Sequence, residues 1–123
     1  MSPGELKLEK IAVIMLGVKN LDASVAFYRD LLGLPLAQQA GEFAFFTAGG
    51  VTLALGVPLS KNSPAMVGAT EVVFGVPGVR QAYEWLRARG IAFLQAPRVV
   101  NPPMWAANFT DPDGHRLSVY GPE

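Results

Sequence analysis

Two residue counts limit the chemistry that this chain can perform: it has a single histidine, His115, and no cysteine. The lack of cysteine excludes disulfides, thiolate metal sites and cysteine nucleophiles. The position of the histidine also argues against a serine hydrolase triad, because it follows Asp113-Gly114 in a predicted turn. Any metal site would therefore have to depend on carboxylates.

Asp111 and Asp113 have the spacing of a carboxylate pair that could share acid and base roles, but their neighbours indicate a turn. Pro112 lies between them and Gly114 follows, and these residue types are typical of tight turns. We therefore interpret both aspartates and His115 as turn residues rather than as an acid/base pair.

Glu71 is the acidic residue that most favours a role in a site, because it lies in an otherwise apolar predicted strand, residues 70–76. It could anchor a ligand or act as a general base. Arg116 could bind a ligand carboxylate or phosphate with two hydrogen bonds. The alternative is that Glu71 and Arg116 pair with each other, since a buried acid is usually paired.

Aromatic and soft apolar side chains supply further candidates: Phe43, Phe45, Met104, Trp105 and Tyr120. They could stack on a flat ligand. The alternative is that they belong to the hydrophobic core or to a dimer interface.

The elements that must position these residues follow the hydrophobic pattern. Apolar residues at helical spacing predict a helix from Leu21 to Leu32 that stops at Gly33, and a second helix from Val79 that ends at Gly90. Residues 57–68 predict a connecting loop. Strands are predicted at residues 10–18, 34–38, 43–47, 51–55, 70–76, 91–94, 104–110 and 115–120.

The second half of this pattern repeats the first. At a shift of 58, residues 16–18 (Leu-Gly-Val) fall on residues 74–76 (Phe-Gly-Val), and every later change of shift falls in a turn, where insertions are tolerated. Agreement through a strand, a helix and three strands indicates a duplication. The chain is therefore predicted to be one α+β domain of two βαβββ modules, with module one at about residues 8–56, a linker at 57–68 and module two at about 69–121.

Alternation along the strands divides each sheet into two faces. Apolar rows such as Leu53, Leu55, Leu117 and Val119 suit packing against the helices. We expect the other faces of two curved four-stranded sheets to enclose a cleft. The residues predicted to line it include Val13, Met15, Thr52, Ala54, Glu71, Val73, Arg116, Ser118 and Tyr120.

Composition narrows the class of protein. The chain has 123 residues, of which 50% are hydrophobic and 16% charged, and ten basic residues balance ten acidic ones. This balance argues against a nucleic-acid partner, and the low charge predicts that a second copy covers apolar surface, as in a homodimer. The longest apolar run is too short to cross a bilayer and the first residues lack a signal-peptide core, so we expect a cytoplasmic protein with no membrane partner.

The motifs resemble those of the vicinal-oxygen-chelate family, which includes glyoxalase I, extradiol dioxygenases, and fosfomycin- and bleomycin-resistance proteins. The matching residues are 18–21 (Val-Lys-Asn-Leu), Ser24, Phe27-Tyr28, Leu32-Gly33 and 109–114 (Phe-Thr-Asp-Pro-Asp-Gly). The resemblance covers about residues 8–120 and implies the tandem βαβββ fold around a cleft. It does not imply one reaction, because a fold hosts many chemistries.

In metal-using members, the resemblance implies that the ion is held by one side chain from the first and one from the fourth strand of each module. These positions are Val13 and Ala54 in module one, and Glu71 and Ser118 in module two. Valine and alanine have no donor atoms, and a serine hydroxyl is a weak ligand for Zn, Fe or Mn. We therefore expect no metal and no other cofactor, which disfavours the metal-dependent activities of the family.

Three functions remain open. The first is a metal-free small-molecule-binding protein similar to the bleomycin-resistance proteins, in which an apolar or aromatic ligand, for example an aromatic cation, raises the melting temperature. The second is a lyase, isomerase or dioxygenase-like enzyme with Glu71 as catalytic base and Tyr120 as proton donor. The third is a non-catalytic subunit whose own side chains fill the cleft. The predicted ligand-binding residues are Phe45, Glu71, Trp105, Arg116, Ser118 and Tyr120.

Overall fold

The first module forms a four-stranded mixed sheet with one helix. The computed structural model describes residues 10–62 and 70–123. The sheet has the order β1-β4-β3-β2, with β1 parallel to β4 and the other pairs antiparallel. The elements are β1 (Val13–Gly17), α1 (Leu21–Ala26) with a π-helical continuation (Phe27–Leu31), β2 (Leu36–Ala40), β3 (Phe43–Ala48) and β4 (Val51–Gly56), followed by a short helix α2 (Val57–Asn62).

The second module repeats this topology, so the predicted tandem of βαβββ modules is confirmed. Its sheet has the order β5-β8-β7-β6, again with one parallel pair, β5 and β8. Among the described residues, no helix is long and apolar enough to cross a membrane. The elements are β5 (Glu71–Gly75), α3 (Val79–Ala88), β6 (Phe93–Asn101), β7 (Met104–Thr110) and β8 (Arg116–Gly121).

The helix ends follow the local sequence. The Asn20 side chain accepts a hydrogen bond from the Ala23 N–H (3.0 Å) and so caps the first turn of α1. The helical segment stops at Gly33, whose φ of 78° lies in the left-handed region, and α3 stops in the same way at Gly90 with φ 93°. Glycine is favoured at both positions because other residues are strained there.

Residues 57–62 form helix α2, so the prediction of a loop is wrong for this part of the linker. The Ser60 hydroxyl donates to the Val18 carbonyl oxygen (3.0 Å) and fixes α2 against the end of β1. A side chain at Gly17 would meet the Ser60 backbone nitrogen at 2.9 Å, so the close approach requires glycine there. The rest of the predicted linker, residues 8–9 of the predicted module one and residue 69 of the predicted module two lie outside the described residues.

Strand β6 is longer than the predicted strand 91–94 and continues through Pro97 to Asn101. Proline is typical of turns between strands, which is why the predicted strand stops before Pro97. In the structure β6 is an outer strand, and its register against β7 shifts between Gln95 and Arg98. Proline is tolerated at such an irregular edge.

One hydrophobic core joins the two modules. Its largest fully buried side chains include Tyr28 and Phe46 from module one and Phe109 and Leu117 from module two. Tyr28 comes from the helical segment after α1, whereas Leu117 lies on the helix side of its sheet, as alternation predicted. The opposite faces of both sheets therefore remain for a site.

The residues 111–115 form the predicted tight turn between β7 and β8. Asp111 Oδ1 accepts from the N–H groups of Asp113 (3.0 Å) and His115 (2.8 Å). His115 Nε2 lies 2.6 Å from the carbonyl oxygen of Gly17 in module one, so this nitrogen carries the proton and donates. The interpretation of these residues as turn residues is confirmed.

The same turn also attaches module two to module one. The Tyr28 hydroxyl donates to Asp111 Oδ2 (2.7 Å) in a buried contact. Asp113 accepts from the Lys19 N–H (2.9 Å) and from the Ser24 hydroxyl (3.3 Å). We call Asp111 and Asp113 with these partners the inter-module clamp. It uses both carboxylates, which are therefore structural.

Candidate functional site

The side of the second sheet that faces away from α3 carries most of the polar candidates. Leu117 and Phe109 point into the core and are fully buried, so their neighbours along β8 and β7 point to the other side. The strand registers place these neighbours in cross-strand rows. We call this surface the module-two open face; its residues are Glu71, Val73, Gly75, Gln95, Arg98, Ala106, Asn108, Arg116, Ser118 and Tyr120.

Glu71 and Arg116 lie opposite each other on β5 and β8 and form an ion pair. Arg116 Nε donates to Glu71 Oε2 at 2.7 Å, and Arg116 Nη2 donates to Gln95 Oε1 at 3.1 Å. The side chains of Arg116 and Glu71 are 36% and 30% exposed. The alternative that these two residues pair with each other is thus the arrangement in the structure.

Asn108 connects this ion pair to a second arginine. Its Nδ2 donates to Glu71 Oε2 at 2.8 Å, and its Oδ1 accepts from Arg98 Nη1 at 2.7 Å. Asn108 is only 3% exposed, so it lies beneath the charged side chains. The result is a continuous network, Gln95–Arg116–Glu71–Asn108–Arg98, across four strands. We call it the five-residue network.

Ser118 and Tyr120 share this face but have different surroundings. Ser118 lies between Val73 and Asn108 in its row and is 2% exposed. Tyr120 lies between Gly75 and Ala106 and is partly exposed. A ligand on this face could therefore touch Tyr120 directly, whereas Ser118 forms part of the floor.

The corresponding face of the first sheet is mainly apolar, apart from Thr47 and Thr52 in the row of Val13. We call it the module-one open face; it includes Val13 and Met15 on β1, Ala54 on β4, and Phe43 and Phe45 on β3. The rings of Phe43 and Phe45 are stacked with their centroids 6.4 Å apart. Val13 is 46% and Met15 is 37% exposed. This surface can contact the apolar body of a ligand but offers it no charged group.

Trp105 does not belong to the open face, so its predicted contact with a ligand in the cleft is corrected. It alternates with Ala106 and therefore lies on the core side of β7, where it packs against the hydrophobic core. The guanidinium of Arg80 from α3 lies 4.8 Å from the centre of its ring. Trp105 supports the packing of α3 instead.

Sequence analysis missed Gln95, Arg98 and Asn108. For Asn108 a signal was available, because it alternates with the core residue Phe109 and must point to the opposite side. For Gln95 and Arg98 there was none, since the register of β6 against β7 shifts between them. Alternation cannot assign a face across such a shift.

A concavity of about 210 Å³ lies on the helix side of the sheets. It is lined mainly by apolar side chains, among them Leu32, Phe74, Trp85 and Leu86. Binding sites normally include a few polar groups that orient the ligand, and these lining residues supply no charged side chain. The two open faces are therefore the better candidate site.

The donor atoms present do not fit a transition-metal site. Val13 and Ala54 have none, Ser118 offers a neutral hydroxyl, and Glu71 Oε2 already accepts from Arg116 and Asn108. Within residues 10–62 and 70–123, no three His, Cys, Asp or Glu side chains come together in a way that could hold an ion. The site provides hydrogen bonds, an ion pair and apolar contact instead.

The class of protein is identified by its two βαβββ modules, each with a four-stranded sheet, and by the open faces of these sheets. The Glyoxalase/Bleomycin resistance protein/Dioxygenase superfamily matches the chain over residues 10–119, and the chain belongs to this family. The resemblance stated from the sequence is thereby confirmed.

Individual relatives within the family carry different names. Metallothiol transferase FosB of Staphylococcus haemolyticus is 30% identical over 112 residues, which are 87% of this chain and 79% of that protein. A glyoxalase/bleomycin resistance protein/dioxygenase from Nocardioides superimposes with a TM-score of 0.79 at 27% identity, covering 94% of this chain and 84% of that one. Lactoylglutathione lyase from Agrobacterium tumefaciens does so with 0.76 at 25% identity, covering 92% and 93%.

Proposed function

We propose that this protein binds a small molecule with an apolar or aromatic body, without a metal ion, between the two kinds of open face. The five-residue network would hold the polar end of the ligand, and Phe45 with its neighbours Phe43 and Met15 would contact the apolar body. Glu71, Arg116 and Tyr120 keep their predicted roles as ligand-binding residues in this proposal.

The observation that carries the proposal is the arrangement around Glu71. This residue is the only carboxylate at the four positions where metal-using relatives would hold an ion, and it is hydrogen-bonded to Arg116 at 2.7 Å and to Asn108 at 2.8 Å. A carboxylate with these hydrogen bonds orients the side chains of Arg116 and Asn108. It is not arranged to bind a metal ion. Oriented polar groups beside open apolar surface are typical of ligand sites.

The apolar exposure of both open faces supports a homodimer. Val13 and Val73 are 46% and 51% exposed on β1 and β5, and each of these strands is the edge of its sheet. Exposed apolar edge strands favour association. A second copy would bring the module-one open face of one chain against the module-two open face of the other and so enclose the cleft. A cytoplasmic location is part of the same proposal.

Native mass spectrometry of protein purified without chelators tests this function. We expect a dimer, no bound metal, and a co-purified organic molecule or an empty site. The protein is then screened for thermal shifts against uncharged, anionic and cationic aromatic compounds, at concentrations about 100 times the dissociation constant or more, where a ligand stabilises by about 2.7 kcal/mol.

Two results would contradict the proposal. Stoichiometric Zn, Mn, Ni or Fe that disappears in Glu71→Ala would show a metal site. The second contradiction is a melting temperature that no compound raises. Phe45→Ala serves as a matched variant, because it should weaken every positive compound, whereas Trp85→Ala, on the helix side, should weaken none.

The relation to a transferase and a lyase favours a second candidate, an enzyme in which Glu71 acts as a base. Tyr120, the predicted proton donor for this reaction, is poorly placed. It pairs with Gly75 of β5, and Gly75 is four residues from Glu71 on that strand. That spacing separates the two rows by about 13 Å, too far to act on one small group. Turnover of an identified substrate that Glu71→Gln abolishes would favour the enzyme.

The third possibility, a subunit whose own side chains fill the cleft, requires that the open faces be covered from within the chain. In the described residues Val13, Met15 and Val73 remain 37–51% exposed. An empty, ligand-free dimer whose interface buries Tyr120 and Phe45 against each other would support that third role.

A further inference from the structure

The guanidinium of Arg98 has no acidic partner on the open face. None of the four ion pairs within the described part of the chain includes it. Its hydrogen bonds, to Asn108 Oδ1 (2.7 Å) and more weakly to the Ala106 carbonyl (3.5 Å), both come from Nη1. The edge formed by Nε and Nη2 is therefore available, and that edge matches the two oxygens of a carboxylate.

Asn108 fixes the orientation of this guanidinium without neutralising it. Because Nδ2 of the amide donates to Glu71 Oε2, its oxygen must point toward Arg98. Asn108 is 3% exposed, so packing restrains it. Arg98 is thus held by an uncharged acceptor, and its charge is left for another group.

The charges of the five-residue network do not cancel. Arg98 and Arg116 are positive and Glu71 is negative, whereas Asn108 and Gln95 are neutral, which leaves one excess positive charge. This changes the expectation from sequence, which named an aromatic cation as an example of the ligand. Because Glu71 is paired with Arg116, a cationic ligand would meet a surface with net positive charge. An anionic ligand would meet two hydrogen-bond donors of Arg98, Nε and Nη2.

We propose that the module-two open face selects a ligand with a single carboxylate, which the Nε–Nη2 edge of Arg98 binds, and with an aromatic body beside Tyr120. The inference rests on the proposed small-molecule function and names its ligand class. Tyr120, Ala106 and Arg98 lie on adjacent strands in one row, so Tyr120 and Arg98 are about 9–10 Å apart at the backbone. The short Ala106 side chain between them leaves room for a ring.

Three probes with the same ring system test this inference: 2-naphthoate, 2-naphthamide and 2-naphthylmethylamine. Their dissociation constants are measured by calorimetry with the 123-residue chain at pH 7. We expect 2-naphthoate to bind roughly tenfold or more tightly than the amide, the factor that a charge-assisted bidentate contact contributes. The amine should bind more weakly than the amide.

Substitutions assign the preference to Arg98. Arg98→Gln should reduce 2-naphthoate affinity to that of the amide and leave amide binding unchanged. Arg98→Lys keeps the charge but not the planar edge, so an intermediate affinity is expected. Arg87→Gln, on the exposed surface of α3, should change neither constant. Melting temperatures without ligand show whether each variant is folded.

The possible failures are distinguishable. Equal affinities for the three probes, or tightest binding of the amine, would overturn the carboxylate inference and leave the small-molecule function in place. A preference for 2-naphthoate that survives in folded Arg98→Gln would overturn the role of Arg98. If no probe binds and the wider panel is also negative, the inference and the proposed function both fail.

Discussion

The two modules share one topology but differ at the sheet face opposite α1 and α3. In module one this face carries Met15, Phe43 and Phe45, and in module two it carries the five-residue network. The helix-side faces do not differ in this way. Leu53 and Leu55 correspond to Leu117 and Val119, and all four are 3% exposed or less.

This difference shows where the duplicated fold leaves freedom. A core position must keep an apolar side chain of suitable volume, because cavities and unpaired polar groups are costly there. An open-face position has no such constraint, so Val13 in one module can correspond to Glu71 in the other. We therefore expect the function of the protein to depend on the residues in which the two open faces differ.

The turns before the last strands of the modules differ as well. Between β3 and β4 the chain reverses through Gly49-Gly50. The equivalent turn between β7 and β8 contains Asp111 and Asp113, which bind module one through the inter-module clamp. Module two therefore supplies both carboxylates of the contact between the modules. Three experiments test this difference between the turns and the difference between the open faces.

The largest effect is expected from Asp111→Ala. Asp111 is 5% exposed and accepts from the Tyr28 hydroxyl and from the N–H groups of Asp113 and His115. The variant leaves these donors without a partner, at a cost of about 3 kcal/mol or more in the free energy of unfolding. Chemical denaturation at fixed protein concentration measures the change.

Glu84→Ala is the control for this experiment, because Glu84 is an exposed acid on α3. Surface substitutions of this kind usually change stability by less than about 0.5 kcal/mol. If Asp111→Ala costs no more than the control, the clamp does not hold the modules together and their turns are energetically equivalent.

Most of the fold could be predicted from the sequence because it depends on local and repeated signals. Strand alternation, the Asn20 cap and the stops at Gly33 and Gly90 are each visible within a few residues. The inter-module clamp could not be predicted, since its Tyr28–Asp111 contact joins residues 83 positions apart. Helix α2 was missed because its sequence, with Pro58, is also typical of a loop.

The candidate site could be predicted only where strands are regular. Alternation along β5 and β8 places Glu71, Arg116 and Tyr120 on one face, as the registers show. Trp105 was predicted to line the cleft because of its residue type. It lies four residues before the core residue Phe109 on β7, and this even spacing favours the core side. Arg98 follows a register shift in β6, so no periodicity in the sequence indicates where its side chain lies.

A smaller effect is expected at alkaline pH. Burial, and next the Asp111 carboxylate, raise the pKa of Tyr28 above its ordinary value of 10.0. The folded state then holds this proton more tightly than the unfolded state, so the stabilisation is complete below pH 10 and falls as the pH rises above it. The loss is about 1.4 kcal/mol per pH unit, or about 2 kcal/mol between pH 10 and 11.5.

Tyr28→Phe isolates this contribution. The variant is less stable at neutral pH because Asp111 loses a donor, but its stability should fall less steeply above pH 10 than that of the original protein. Tyr83 and Tyr120 are present in both proteins and cancel in the comparison. Parallel stability curves from pH 9 to 11.5 would show that Tyr28 ionises equally in the folded and unfolded states.

The third change tests whether the two open faces are complementary. Val73 is 51% exposed on edge strand β5, and Leu94 is 58% exposed on β6 at the other edge of the same sheet. If a second copy covers the module-two open face, Val73→Asp places a charge in an apolar contact and should weaken dimerisation by roughly tenfold, about 1.4 kcal/mol. Leu94→Asp should leave the dimer unchanged in sedimentation velocity. Dissociation by Leu94→Asp instead would place the interface at β6, and the apolar and charged faces would then not meet across a dimer.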